Sequence, residues 1–310
     1  MRKRVYAEKS IESVLLNHTM TPKVILLFLL LFTLNALSAQ TGKIIRFTSS
    51  NAMFPDTARA KGHDYNGKHY DVADNYSDSS VLIYIPQNFI PKDRINLVFW
   101  FHGWGNSIDS AVKQYQLLQQ FDASARNSIF VFPEGPKNAP DSYGGKLEQP
   151  RVFQQLVKEV GQKLYENMVI RTKRNVNNLD QYDISLAGHS GAYRVISRII
   201  NKTPVNEVIL FDAMYGGNDA YLQWLSVPEH RFINIYTKDG GTFDNSHLIM
   251  QQLTDSLHVP MISLNEDDLT EKLLRDNNKV FMFSSKGHNE VITNSRNWER
   301  FLRSRITPLF

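Results

Sequence analysis

The residues best suited to chemistry form the run Gly188-His189-Ser190-Gly191-Ala192. The segment 182–187 before it has the apolar alternation of a strand, and the segment 193–200 after it has helical spacing. Small residues around Ser190 allow the chain to fold back sharply, which would present the serine hydroxyl at the carboxyl edge of a sheet. The N-terminus of the following helix offers N–H groups to an oxyanion. This pattern predicts that Ser190 is a nucleophile, although Ala192 replaces the last glycine of the G-x-S-x-G motif.

A nucleophilic serine needs a base, which is most often a histidine because its pKa lies near neutrality. Three of the nine histidines follow predicted strands, namely His102, His189 and His288. His189 adjoins Ser190 in the chain, so its side chain should point away, and His102 lies in a glycine turn. His288 is therefore the predicted base, in the loop after the last predicted strand.

The glycine turn His102-Gly103-Trp104-Gly105 follows the apolar segment 95–101. Glycines allow a backbone to direct its N–H groups toward a bound oxygen, so the Trp104 and Gly191 amides are predicted to form an oxyanion hole. His102 and Gly103 are candidate substrate contacts in the same turn.

A second loop, 134–145, opens at the same edge of the predicted sheet and is rich in glycine and proline. Its candidate substrate contacts are Tyr143 and Asp141. Its carboxylates are too sparse for a strong calcium site, and we predict neither a metal nor a cofactor.

An acidic residue must orient the base, and three aspartates near predicted strand ends compete for this role. Asp239 follows the strand 232–236, Asp212 ends the strand 205–212, and Asp244 lies further into its loop. Loop aspartates also cap helices and stabilise turns, so the residues alone leave the choice open.

The elements that position these residues follow a regular order. Apolar segments typical of strands cover 81–86, 95–101, 128–133, 183–187, 205–212, 232–236 and 279–284, and helical spacing covers 112–121, 152–166, 246–253 and 290–302. Near-continuous apolar strands alternating with helices predict an α/β fold, with a mostly parallel central sheet and helices on both faces. Right-handed crossovers then bring the strand-end loops to one edge.

The excess of positive charge in the 310-residue chain is concentrated at its amino end. Of 35 Lys and Arg and 31 Asp and Glu, five basic and two acidic residues lie in 1–39, so 30 and 29 remain beyond them. No basic stripe is left to bind nucleic acid. The chain has no cysteine, which excludes a cysteine protease and a Cys-ligated zinc site.

The segment 24–34 is apolar, uncharged and preceded by Lys23. It is too short to span a bilayer, which needs roughly 20 residues. With the small residues Ser38 and Ala39 behind it, it predicts a secretory signal cleaved after Ala39. We therefore expect an extension and signal over 1–39, a single catalytic domain over 40–310, a periplasmic or extracellular location and no membrane span in the mature chain. An uncleaved anchor is the alternative to a cleaved signal, and Met20 is the alternative to Met1 as the translation start.

The order of Ser190, an aspartate and His288, with the turn 102–105 upstream, resembles the α/β-hydrolase superfamily over about residues 80–310. Among exported members, the chain is most similar to small secreted esterases. The resemblance implies the α/β-hydrolase fold, with Ser190 as nucleophile, His288 as base and Asp239 as the first choice of acid, Asp212 being the alternative. The chain departs from the family pattern at Ala192 and in lacking a glycine directly before Asp239.

These features predict an exported serine hydrolase that cleaves a carboxylic ester through an acyl-enzyme. An ester is favoured over a peptide because no carboxylate cluster that would bind a substrate amine is evident. A serine peptidase and a catalytically inactive binding protein of the same fold are the alternatives, although binding alone does not require a complete Ser, Asp and His set. The expected partner is a small-molecule or polymer-linked ester, and the sequence makes no prediction of oligomeric state.

Overall fold

The structure, a computed structural model, describes residues 42–171 and 176–305. The strands in these ranges are β1 Lys43–Thr48, β2 His63–Tyr65, β3 Lys68–Tyr70, β4 Ser80–Ile85, β5 Ile95–Phe101, β6 Ile129–Pro133, β7 Tyr182–His189, β8 Val205–Phe211, β9 Arg231–Thr237, β10 Ile262–Asn265 and β11 Lys279–Ser284. Nine of them form one sheet in the order β1-β4-β6-β5-β7-β8-β9-β11-β10, and β2 pairs with β3 in a separate hairpin.

The large sheet is antiparallel only at one side. β1 pairs antiparallel with β4, and β4 pairs antiparallel with β6. All the pairs from β6 through β5, β7, β8, β9 and β11 to β10 are parallel. The predicted mostly parallel sheet is confirmed, and the carboxyl ends of its parallel strands lie at one edge, where sites in such sheets are found.

Alternate residues of β5 enter two separate cores. Leu97 and Phe99 pack into the core on one face of the sheet, whereas Val98 and Trp100 pack into the core on the other. Because both faces are covered, the strand is apolar at nearly every position.

Helices cover both of these cores, as predicted. The helices are α1 Val72–Asn75, α2 Ile108–Gln114, α3 Leu117–Ala123, α4 Val152–Glu166, α5 Tyr193–Ile199, α6 Asn218–Leu225, α7 Phe243–Asp255, α8 Glu271–Asp276, α9 Glu290–Thr293 and α10 Asn297–Arg303. Helices α4 to α7 contribute buried side chains to the first core, and α2, α3 and α8 to α10 contribute to the second.

Two predicted helices are each broken in the structure. The predicted helix 112–121 is divided between α2 and α3, because Gln116 between them has a φ of 50°. The predicted helix 290–302 is divided between α9 and α10 by Ser295 and Arg296, which also have positive φ. The sequence pattern does not predict α6, α8 or β10; β10 has four residues, all half-buried or exposed, at the sheet edge.

The predicted signal over 1–39, its cleavage after Ala39 and a start at Met20 concern residues outside the described ranges. Within those ranges, no helix combines the length and the hydropathy that crossing a membrane requires.

Candidate active site

Ser190 lies directly after β7, at the start of a single 3-10 turn, Ser190–Ala192, that leads into α5. Its φ of 56° lies in the left-handed region, which is costly for a residue with a side chain and persists only where the surroundings enforce it. The turn after β5 borders it closely, since a Cβ added to Gly103 would lie 2.5 Å from Ser190 Cβ and 3.1 Å from its Oγ. The backbone of Gly103 therefore packs against the serine, which leaves no room for a side chain at position 103.

The departure from G-x-S-x-G at Ala192 has a structural explanation. Ala192 is buried, and a Cβ added to Gly188 would lie 2.7 Å from the Ala192 Cβ. The two positions face each other across the turn, so one methyl group fits there when the other position is glycine. Ala192 is compatible with the sharp turn because Gly188 leaves the space that it occupies.

His288 follows β11, and a buried carboxylate holds its imidazole. Its Nδ1 donates a hydrogen bond of 2.6 Å to Oδ2 of Asp212, which is fully buried at the end of β8. The same carboxylate accepts hydrogen bonds from the backbone N–H of Thr237 at 3.0 Å, from the Thr237 hydroxyl at 2.7 Å and from the Thr242 hydroxyl. Burial alone would raise the pKa of Asp212, but the hydrogen bonds from His288, Thr242 and Thr237 outweigh it and hold the pKa below its usual value. Asp212 is therefore ionised.

Asp239, the first choice of acid from the sequence, does not contact His288, and the structure corrects that prediction in favour of Asp212. Asp239 is exposed in the turn after β9. The last residue of β9, Thr237, binds the Asp212 carboxylate, and the chain then turns outward. A side chain at Gly240 would collide with that carboxylate. Gly240, the residue after Asp239, therefore makes room for the Asp212 side chain.

Tyr215 is a residue of this site that the sequence pattern does not single out. Its ring centroid lies 6.4 Å from that of His288. Its hydroxyl donates a hydrogen bond to the Gly240 carbonyl. Burial and the charge of Asp212 raise the pKa of Tyr215, so the phenol stays protonated. Its position three residues after Asp212, in the same strand-end loop, is the one sequence signal that marks it.

The Trp104 side chain lies over the backbone of Gly191. A Cβ added to Gly191 would lie 2.7 Å from Cδ1 of the indole, and the indole N–H donates to the Ser142 hydroxyl at 2.7 Å. Neither the Trp104 N–H nor the Gly191 N–H is engaged in a loop or turn hydrogen bond among the described residues. The turn after β5 and the turn at Ser190 thus lie side by side, with two backbone donors beside the serine.

His102, a predicted substrate contact, is instead a buried structural residue, with a side chain only 1% exposed. Its Nδ1 donates to the Gly103 carbonyl at 2.7 Å, and its Nε2 lies 3.0 Å from Glu134 Oε1. Glu134 also accepts from the Ile108 N–H at the start of α2. The ring is thus held at both nitrogens, so His102 shapes the turn and has no surface left for a substrate.

Tyr143 and Asp141 are also engaged within the protein, which corrects their prediction as substrate contacts. The Tyr143 hydroxyl donates to Asp56 at 2.9 Å, and its ring lies 4.8 Å from the guanidinium of Arg59 and 5.0 Å from that of Arg194. Asp141 is buried and paired with Arg59 at 2.7 Å. These contacts fix the base of the loop 134–145, and Ser142 between them is the residue that reaches the site.

Within 42–171 and 176–305, no three His, Asp or Glu side chains are grouped so that they could hold a metal ion.

No protein-family model and no curated protein sequence matches this chain. A feruloyl esterase module from Clostridium thermocellum, solved with sinapinate, aligns with a TM-score of 0.51 at 12% identity, over 88% of this chain and 92% of that one. A structure designated FAE aligns with a TM-score of 0.50 at 14% identity, over 88% and 92%. The S-formylglutathione hydrolase FrmB from Staphylococcus aureus aligns with a TM-score of 0.47 at 11% identity, over 84% and 96%. The parallel sheet, the sharp turn at Ser190 and the similarity to the feruloyl esterase module together show that the chain has the α/β-hydrolase fold.

Proposed function

We propose that the protein is a serine hydrolase that cleaves carboxylic esters through an acyl-enzyme on Ser190. The observation that carries the proposal is the 2.6 Å hydrogen bond between His288 and the buried Asp212, at the same sheet edge as a serine in a left-handed turn. These three residues come from three strand ends and match the roles of nucleophile, base and orienting acid. Binding alone gives no reason for a buried carboxylate to orient a histidine beside that serine.

In the acylation step, Ser190 Oγ attacks the ester carbonyl carbon while Nε2 of His288 takes the hydroxyl proton. Catalytic hydrogen bonds often tighten only when substrate binds, and we expect the bond between the Ser190 hydroxyl and Nε2 of His288 to form at that stage. Asp212 keeps the proton of His288 on Nδ1 and stabilises the imidazolium that forms. His288 then gives its proton to the leaving alcohol as the C–O bond breaks.

Two backbone N–H groups, those of Trp104 and Gly191, are the proposed donors to the oxyanion of each tetrahedral intermediate. Donors of this kind stabilise charge that develops only in the transition state, and each contributes on the order of 10²–10³-fold in kcat. In deacylation, His288 takes a proton from a water molecule as the water oxygen attacks the acyl carbon. His288 then returns that proton to Ser190 Oγ as the bond between Oγ and the acyl carbon breaks, and the carboxylic acid leaves. A feruloyl esterase module shares this fold, which favours an ester as substrate.

Three aromatic side chains lie exposed around this serine. Tyr65, Trp104 and Tyr215 are 37%, 47% and 39% exposed, and they are the large aromatic side chains among the described residues that are exposed to this extent. Tyr65 meets Trp104 edge to face at 5.2 Å, and Tyr215 lies beside His288. Exposed aromatic surface of this kind is typical of ligand sites. It supports a substrate with a flat or apolar group next to the ester bond.

A cleft of about 560 Å³ lies beyond Tyr215, between α5 and α6. Tyr193 lines it and lies 5.9 Å from Tyr215 between ring centroids, while Arg198 and Asp219 make its lining polar. Tyr215 therefore lies between this cleft and His288. A polar cleft in this place supports a substrate whose alcohol part is larger than a simple alkyl group, such as a polymer-linked ester.

We further propose that the enzyme acts after export, as the apolar segment 24–34 and the small residues Ser38 and Ala39 indicate. Mass spectrometry of the exported protein is expected to find Gln40 as the first residue. A chain that still begins at Met1 or Met20 after export would contradict cleavage.

Hydrolysis of a series of p-nitrophenyl esters tests the proposed activity, with peptide p-nitroanilides as the competing substrate class. The wild-type protein is expected to turn over esters, and Ser190→Ala is expected to lower kcat by about 10⁴-fold or more. Cleavage of the anilides in preference to the esters would indicate a peptidase. A protein that cleaves neither would contradict the enzymatic proposal and favour a binding protein of the same fold.

A further inference from the structure

His189, the residue before the proposed nucleophile, is buried and is not used in the mechanism above. Its ring lies against two other rings. The centroid distances are 4.5 Å to His288, at an interplanar angle of 38°, and 5.4 Å to Tyr115. The His189 ring therefore packs against the ring of the proposed base, His288.

His189 also holds the main chain of the base. Its Nε2 lies 3.0 Å from the carbonyl oxygen of His288, and since a carbonyl only accepts hydrogen bonds, Nε2 must carry the proton. Its Nδ1 faces the Tyr115 hydroxyl at 3.4 Å, and that hydroxyl donates to Asn289 Oδ1 at 2.8 Å. His189 and Tyr115 thus attach two successive residues of the base-bearing loop to the body of the protein.

The loop after β11 has little else to hold it. In residues 285–289, three positions are exposed and the other two are half-buried. The backbone N–H groups of Lys286 and Gly287 donate to the side chains of Ser284 and Glu290, at the two ends of the same loop. Among the described residues, only Asp212, His189 and Tyr115 form hydrogen bonds that join positions 288 and 289 to other elements. The position of the imidazole therefore depends on few contacts.

His189 is uncharged at neutral pH, which is compatible with its contact with His288. Burial, and then the proximity of His288, lower its pKa to about 3, so it stays neutral at neutral pH. The ionisable groups around it are His288, Asp212, His102 and the Tyr115 hydroxyl. A neutral ring can lie against the base without opposing the positive charge that His288 acquires during turnover.

We propose that His189 is a positioning residue, which fixes the main chain and ring of His288 so that Nδ1 stays on Asp212 and Nε2 faces Ser190. The proposal rests on the function proposed above. A catalytic group displaced by about 1 Å can lose on the order of 10²-fold in rate, which is the scale of effect that a lost support would cause.

Two substitutions separate the N–H donor from the bulk of the ring. His189→Gln keeps an N–H group that can reach the His288 carbonyl, whereas His189→Phe keeps a ring of similar size without the donor. We expect His189→Phe to lower kcat by about 10- to 100-fold with KM changed by less than about threefold, and His189→Gln to keep kcat within about fivefold of wild type. Counting active sites with a fluorophosphonate makes kcat independent of the folded fraction, and His189→Leu provides a second apolar variant.

A readout without turnover makes the test independent of the proposed esterase activity. The proton on Nδ1 of His288, bonded to Asp212, should give a downfield ¹H resonance that His189→Gln retains and that the apolar variants shift or lose, while circular dichroism stays unchanged. An apolar variant with wild-type kcat per labelled site and an unchanged resonance would overturn the proposal. Equal losses in His189→Gln and both apolar variants would also overturn it, because the donor would then not matter. If the wild-type protein cleaves no ester, the proposed function fails and the resonance alone decides this inference.

Discussion

Asp212 accepts hydrogen bonds from one backbone N–H and three side chains, and each of these donors favours the charged carboxylate. An ionised carboxylate can only accept, so Nδ1 of His288 must carry a proton and Nε2 must be the nitrogen that can take one. An amide at position 212 could instead present its own N–H to the imidazole. In the proposed mechanism, the tautomer of His288 therefore depends on the carboxylate of one buried residue.

Asp212→Asn is expected to lower kcat by about 10⁴-fold, because the amide favours the wrong tautomer of His288 and cannot stabilise its charged form. Asp239→Asn is the matched control: the exposed Asp239 side chain lies outside the site, so kcat should stay within about twofold of wild type. Steady-state kinetics on one ester compares the two. A severe loss in Asp239→Asn, or full activity in Asp212→Asn, would restore Asp239 as the acid.

Because His189 is held neutral in the folded protein, its titration should lower the free energy of unfolding as the pH falls. Its pKa is about 3 in the folded protein against 6.5 for an ordinary histidine, first because it is buried and then because His288 lies beside it. Between these values the unfolded chain binds a proton that the folded protein does not. This contribution to stability is therefore complete above about pH 6.5 and is lost as the pH falls toward 3, at up to about 1.4 kcal/mol per pH unit.

Glutamine at position 189 does not titrate, so the free energy of unfolding of His189→Gln should fall less steeply than that of wild type between about pH 7 and 4.5. Urea unfolding at several pH values measures both slopes. His258→Gln, at an exposed histidine that forms no ion pair among the described residues, is the control. Parallel curves for His189→Gln and wild type would show that His189 is not held neutral.

At the scale of elements, the turn between β7 and α5 depends on two positions that face each other. A methyl group at Gly188 would lie 2.7 Å from both Ala192 Cβ and Ile196 Cδ1. Gly188→Ala is therefore expected to destabilise the protein by about 1–3 kcal/mol, as overpacking does, and to lower kcat by displacing Ser190. Ala192→Gly, which only removes a methyl group, should be milder.

The double variant Gly188→Ala/Ala192→Gly moves the methyl group from one side of the turn to the other. It should recover part of the stability and activity that Gly188→Ala loses, which a double-mutant cycle of unfolding free energies and kcat measures. A double variant no better than Gly188→Ala alone would mean that another contact, such as the one with Ile196, sets the requirement for glycine at position 188.

The elements that the sequence predicts best are those buried on both faces. β5 is found at the predicted residues, and β8, β9 and β11 lie within a residue or so of their predicted bounds, because unbroken apolar runs with clear ends allow little ambiguity. The helix breaks were missed because Gln116, Ser295 and Arg296 adopt left-handed conformations without a glycine to signal them. β10 is too short for its alternation to be distinctive.

The residues of the site also divide into those that the sequence predicts and one that it does not. Ser190 and His288 can be placed from local patterns, since each follows a strand that the sequence shows clearly. The acid cannot, because the choice between Asp212 and Asp239 depends on which way the chain turns after β9. That turn is set by Thr237 binding to a carboxylate 25 residues earlier. Contacts of this kind leave no periodic signal.

At the scale of the whole molecule, the edge of the sheet opposite the site holds a buried ion cluster. Glu207 in β8 is fully buried, pairs with Arg126 at 2.6 Å and with Arg231, and accepts a hydrogen bond from Ser185 at 2.7 Å. Burial would raise the pKa of Glu207, but the two arginines outweigh it and lower the pKa. Glu207 and Asp212 are five residues apart, or about 16 Å along the strand, so the cluster stabilises the sheet without touching the site.

Glu207→Gln leaves buried arginine charges without a partner and should lower the free energy of unfolding by about 3–5 kcal/mol. The kcat per fluorophosphonate-labelled site should stay at the wild-type value. Glu166→Gln, at an exposed ion pair with Lys163, is the control and should leave stability unchanged. A loss of kcat per labelled site in Glu207→Gln would contradict the separation between the stabilising cluster and the chemistry.

Covalent labelling tests whether Ser190 is an activated nucleophile. The purified protein is treated with a fluorophosphonate probe, digested and mapped by mass spectrometry, with Ser190→Ala treated in parallel. We predict one modified residue, Ser190, and no labelling of Ser190→Ala. A wild-type protein that takes up no probe, or a Ser190→Ala variant that is still labelled, would contradict the assignment.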